Sequence, residues 1–160
     1  MDFRDALNNV IAELTPQPWD YTDADGTTLR IIPAGLRETA GYAEVLIRIT
    51  RADATGLGEF GITGPDSRGV AEVGVTTTDL PKAIEALTER GWWADNALVS
   101  GALLVAAASG GVVVGVTENH GAGQHVDVGI VLPEAQRLPL ASALRRALDV
   151  ARGWEDSPQA

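Results

Sequence analysis

Between Asp95 and Glu118 the chain runs for twenty-two residues without a charged side chain. Such a run must either cross a bilayer or be covered by the rest of a fold, because soluble proteins rarely leave so much contiguous apolar surface in water. Ser100, Gly101, Ser109, Gly110, Gly111 and Gly115 interrupt it, and acidic residues flank both ends where a span would carry Arg or Lys on one. Burial inside a folded domain is therefore expected, with no membrane partner. The apolar residues are nearly continuous, so periodicity does not separate helix from strand. Alanine and leucine favour a helix over 95–109, capped by Asp95 or Asn96 and ended by Gly110-Gly111, with a buried strand after it.

The flanking segments are more regular. Phe3, Leu7, Val10, Ile11 and Leu14 form one apolar stripe on a helix that Pro16 and Pro18 stop. Asp25-Gly26, set between two strand-like runs, predicts a tight hairpin, and Val45, Ile47 and Ile49 alternate as in a strand. Residues 58–63 and 70–77 read as shorter strands joined by GPDSRG. Asp79 as N-cap, Pro81 in the first turn, Leu80, Ile84 and Leu87 on one face and Gly91 past the end predict a second helix.

Further on, Val112, Val114 and Val116 on one side and Val126, Val128 and Ile130 on the other all reach a core only if 116 lies opposite 128 and 114 opposite 130. That register sets 118 against 126 and leaves 119–125 as the loop. Leu140, Leu144, Ala147, Leu148 and Ala151 make a closing helix with Pro139 in its first turn and Gly153 after its end. The expected fold is α+β, an antiparallel sheet packed against helices in the order α-β-β-β-(β-β)-α-α-β-β-α. One domain over 1–153 and a frayed tail over 154–160 are expected.

Composition excludes several chemistries. The chain has no cysteine, which removes disulfides, thiolate metal sites and cysteine nucleophiles and suits a reducing cytoplasm. Its opening, MDFRDALNN, has no continuous apolar run and reads as neither a signal nor a transit peptide. Twelve basic residues against twenty-two acidic ones leave a net charge of -10, with Lys82 the single lysine. On that balance no basic surface exists to displace phosphate counterions, and nucleic acid is not expected as a partner. Charge is uneven, since residues 134–152 carry +2 and the remainder -12.

Each motif with a chemical reading has a plainer one. Gly56, Gly58 and Gly61 spell G-x-G-x-x-G, but ITGPDSRG follows, so no helix N-terminus faces a phosphate there, and a glycine-rich turn is expected. With Gly26 as the sixth position of a calcium loop, Asp23 and Asp25 fit, but Tyr21 and Ile32 stand at the first and twelfth. Glu118, His120, His125 and Asp127 are the one close cluster of metal-ligand and acid-base types, and a glycine-bearing loop preorganises such a site weakly. No serine sits in G-x-S-x-G. An extended backbone points adjacent Trp92 and Trp93 to opposite faces and can expose one, but core packing is the expected role rather than a binding hot spot. No catalytic, cofactor-binding or metal-binding residue is assigned, and no cofactor is expected.

The run from Asp95 to Arg152, an apolar helix, a Gly-Gly break, a hairpin, a Leu-Pro junction and an amphipathic helix, resembles the second half of type III secretion chaperones and their fold relatives. That resemblance implies a small, acidic, cytoplasmic, usually dimeric protein that holds segments of a partner and catalyses nothing. The function expected from it and from the charge is a non-enzymatic protein-binding module, chaperone-like or inhibitor- or immunity-like, in a homodimer. The alternative is a small-molecule binder with a pocket between the sheet and the helix over 95–109. An enzyme built on the His120 and His125 loop stands third.

Overall fold

The computed structural model describes residues 3, 19–33, 43–55, 68–98 and 101–156. The helix expected over 3–14, apart from Phe3, and the strand over 58–63 lie outside the described residues, as do Gly56, Gly58 and Gly61. The chain is an α+β protein, and among the described residues two antiparallel sheets pack against two helices. Sheet one is a meander of β1 (Trp19–Thr22), β2 (Thr28–Pro33), β3 (Glu44–Thr55) and β4 (Arg68–Thr76). Then come α1 (Leu80–Thr88) and a second meander, sheet two, of β5 (Trp92–Leu98), β6 (Gly101–Ala108), β7 (Gly111–Gly121) and β8 (Gln124–Pro133). A short 3-10 turn, Glu134–Gln136, leads into α2 (Arg137–Asp156).

The main departure from expectation is the uncharged run, which forms strands where a helix over 95–109 was expected. Leu103 and Val105 point into the core, while Ala102, Leu104 and Ala106 point out. Ser109 and Gly110 make a two-residue turn that pairs Ala108 with Gly111. Helix propensity is a weak prior of at most about 0.7 kcal/mol per residue, and pairing on both sides of β6 outweighs it. Gly101 fixes the entry to β6, because a Cβ there would strike the carbonyl of Thr117 on β7.

The β7–β8 hairpin has the register that the valine pattern demands, with Val116 opposite Val128, Val114 opposite Ile130 and Glu118 opposite Val126. Its strands run further than expected, pairing Asn119 with His125, so the histidines lie on strand ends and the turn shrinks to Ala122-Gly123. In the β1–β2 turn, Asp23 Oδ1 accepts hydrogen bonds from the backbone N–H groups of Asp25 and Thr27, both at 2.9 Å, and Gly26 takes φ +85°. Asp23 is thereby committed to the turn.

One core joins all these elements. Leu29, Ile31, Ile47 and Val73 of sheet one meet Leu103, Val114 and Ile130 of sheet two, with Leu80, Leu87, Leu140 and Leu144 of the helices. The strand β4 lies against β7 and β8, α1 against β5 and β6, and α2 against β2 and β3. Asp79 stands before α1 without capping it by its side chain. The other end of α1 is closed by Arg137, a buried side chain whose Nη1 donates to the carbonyls of Leu87 at 2.6 Å and Thr88 at 3.3 Å. Arg137 Nε donates to Glu134 Oε1 at 2.8 Å, which holds that carboxyl below its ordinary range. The last helix continues through Gly153, where a stop was expected. Glu155 then accepts from Thr77 Oγ1 at 2.8 Å and from the Ala43 N–H at 3.0 Å, tying its end to the start of β3.

Candidate functional site

The two sheets turn different surfaces to water. Across sheet one, pairing sets Asp20 beside Arg30, Arg30 beside Arg48 and Arg48 beside Glu72, a charged row over all four strands. Arg30 grips Asp20 through two bonds of 2.7 and 2.9 Å, and Arg48 Nε donates to Glu72 Oε2 at 2.6 Å. Each arginine thus has an acid beyond it, and the row neutralises itself. The hydrogen bond from Arg30 holds the Asp20 carboxyl below its ordinary range and raises the guanidinium in return.

Sheet two carries nothing of the kind. One row across it reads Trp92, Ala106, Val113 and Val131; the next reads Ala94, Leu104, Gly115 and Gly129; a third reads Ala102, Thr117 and Asp127. Strands lie about 4.8 Å apart, so the first row extends roughly 14 Å from Trp92 to Val131. Trp92 is 73% exposed and Val131 63%, while the neighbouring Trp93 packs against the core. Trp92 and Trp93 do point to opposite faces. Among the described side chains of these rows, Asp127 alone is charged.

Over the second and third rows lies an open trough of about 520 Å³, bordered by Ala94, Ala102, Leu104, Thr117 and Asp127. Its floor is low because Gly115 and Gly129 have no side chains. A Cβ at either would make only ordinary contacts, 3.8 Å from Leu104 Cβ and 3.6 Å from the Val114 carbonyl, so the backbone does not require glycine there. At one rim Thr117 Oγ1 donates to Asp127 Oδ1, and His125 Nε2 lies 3.2 Å from Asp127 Oδ2. Beyond β8 the surface turns acidic, in a groove of about 900 Å³ that Asp23, Asp25, Asp53 and Asp127 line together with Arg51.

The candidate cluster at the hairpin is divided by the pleat of the sheet. Glu118 and His120 turn inward, about nine-tenths buried, with Oε2 and Nε2 3.3 Å apart, while His125 and Asp127 face solvent. Among the described residues no three His, Asp or Glu side chains come together as metal ligands. Of the positions compared with a calcium loop, Asp23 and Asp25 lie in the β1–β2 turn, and Tyr21 and Ile32, which break the pattern, are strand residues. The pocket expected between the sheet and a helix over 95–109 has no helix to bound it, and no helix among the described residues is long and apolar enough to cross a membrane. Sequence reasoning missed the outer face of sheet two, although Leu103 and Val105 alternate there with Ala102, Leu104 and Ala106.

No protein-family model and no curated protein matches the sequence. Solved structures do match in shape. The MRP1/MRP2 structure from Trypanosoma brucei superposes with a TM-score of 0.60 at 16% identity, over 96% of this chain and 97% of that one. WHY1 from Arabidopsis thaliana gives 0.57 at 13% identity, over 89% and 94%, and WHY3 from the same plant 0.55 at 14%, over 88% and 89%. The fold is theirs.

This likeness corrects the expected resemblance to type III secretion chaperones, which rested on reading 95–109 as a helix before a Gly-Gly break. It also corrects the expected function and partners, a chaperone-like or inhibitor-like module holding another protein in a homodimer without nucleic acid, because the proteins that share this fold bind nucleic acid. The expected cytoplasmic setting falls too, since it was tied to the chaperone resemblance that this fold replaces. A generally non-enzymatic character agrees with the same relatives.

Proposed function

We infer that this chain binds single-stranded nucleic acid across the outer face of sheet two. The observation that carries the reading is that face itself, an exposed apolar row ending in Trp92 beside a trough about 520 Å³ in volume. Bases have apolar π-faces that stack on aromatic side chains, a contact worth about 1–3 kcal/mol per base that needs no particular sequence. The relatives in fold, nucleic-acid binders, support the same reading. It is a reading of a binding protein and not of a catalyst.

A net charge of -10 constrains how such binding works. Most phosphates keep their counterions, and affinity comes from stacking and apolar contact. The acidic groove beyond β8 repels the sugar-phosphate backbone, which leaves the bases to face the trough. Because the described elements share one core, 1–153 is further proposed as a single domain.

Fluorescence anisotropy of labelled dT24 and rU24 tests this. Binding is expected with a shallow salt dependence, a slope of log K against log salt no steeper than about -1.5, which corresponds to roughly two neutralised phosphates. Trp92→Ala should weaken it about tenfold, the loss of one stacked base. Absence of binding to either strand at tens of micromolar, the range of non-specific nucleic-acid affinity, would overturn the reading.

A further inference from the structure

We propose that Asp127 makes this surface prefer guanine, a selectivity that rests on the single-strand reading above. A carboxylate at the rim of a nucleic-acid surface is costly beside phosphate unless the bound strand also offers it hydrogen-bond donors. Its geometry fits that task. Asp127 projects from the row beside Leu104, Gly115 and Gly129, at the border of the trough, and its side chain is 64% exposed. Thr117 Oγ1 donates to Oδ1, and His125 lies 3.2 Å from Oδ2, so two neighbours orient the carboxylate. An ionised carboxylate has about four lone-pair sites, so each oxygen keeps acceptor capacity beyond these two neighbours.

Bases differ in what they offer such a group. Guanine carries two adjacent donors on its Watson–Crick edge, the ring N1–H and the exocyclic N2 amino group, and these match the two oxygens of a carboxylate. Adenine and cytosine each offer one amino group beside an acceptor nitrogen. Thymine and uracil offer one N–H between two carbonyls, whose lone pairs face the carboxylate's own. A base lying over the unsubstituted Gly115 and Gly129 brings its edge toward the third row, where Thr117 and Asp127 stand. Stacking on the apolar rows thus supplies general affinity, and the carboxylate ranks the bases.

The test uses the full chain and four twelve-nucleotide probes: alternating dT-dG, alternating dT-dI, alternating dT-dA and plain dT12. Hypoxanthine, the base of inosine, keeps N1–H but lacks the 2-amino group. The wild-type protein should bind the guanine probe about tenfold more tightly than the inosine probe, a discrimination expected of a bidentate contact. In Asp127→Asn one acceptor becomes a donor, and the ratio of guanine to inosine affinity should fall to about one. Equal wild-type affinity for the guanine and inosine probes, with dT12 still bound, overturns the guanine preference and leaves the single-strand reading standing. Failure to bind any probe overturns both. The inosine comparison needs no variant, so it decides the question even where Asp127→Asn folds poorly.

Discussion

Sheet one and sheet two are built alike and finished differently. Both are four-stranded antiparallel meanders with β-branched and leucine side chains turned inward, yet one carries a row of two Asp/Glu–Arg pairs on its outer face and the other a row from Trp92 to Val131. A self-neutralised charged face is at ease in water and deters edge pairing and docking. An apolar face of comparable extent marks a place where something binds. The lesson is that a net charge of -10 is not spread evenly over the two outer faces, because the exposed rows of sheet two are mostly small and apolar, with Asp95 and Asp127 as the carboxylates at the trough.

The sharpest way to break the comparison lies within β6, where Leu103 is 1% exposed and Leu104 is 39% exposed. Leu103→Ala should cost about 3 kcal/mol, the usual range for a buried leucine, and Leu104→Ala well under about 1 kcal/mol, both read from urea unfolding. Equal losses would mean that the outer face is covered in the folded chain. Next in size, Leu104→Glu should leave the unfolding midpoint nearly unchanged and weaken single-strand binding by more than tenfold, since it adds a third carboxylate to Asp95 and Asp127 in the trough. Arg48→Ala, on the opposite sheet, should cost about 1 kcal/mol through loss of its largely sheltered pair with Glu72 and leave binding within twofold.

The smallest effect is on pH. The Asp20 carboxyl is held below its ordinary range by Arg30, so its contribution is present above the unfolded carboxylate pKa near 4 and is lost as pH falls through the lower folded value. The pair is open to solvent, which limits that contribution to a fraction of about 1 kcal/mol. Asp20→Asn should therefore be slightly less stable than the wild type at pH 7, and the two should converge near pH 2 in denaturant titrations.

Much of this architecture was legible in the residues. The register of β7 and β8 followed from Val112, Val114, Val116, Val126, Val128 and Ile130, because a slip of one residue would turn every one of them to water. The faces of both helices followed from Leu80, Ile84 and Leu87 and from Leu140, Leu144 and Leu148, all now buried. The run at 95–109 was not legible, because Ala and Leu suit a buried helix as well as a strand, and only the neighbours on each side settle the choice. Ser109-Gly110, a two-residue hairpin turn, was the local signal that pointed to strands. The candidate site was hidden for a related reason. Small and apolar residues on an outer face look like core until the fold shows that no described element covers them.

Where a single strand lies on the molecule decides between the two faces. Amide chemical shifts or hydrogen exchange, followed while dT24 is added, locate it directly. The expected footprint covers Ala102–Ala106, Val113–Thr117 and Gly129–Val131 and includes the Trp92 indole N–H, with β1 to β3 of sheet one unchanged. A footprint centred on the charged row of Asp20, Arg30, Arg48 and Glu72, with sheet two undisturbed, would contradict it.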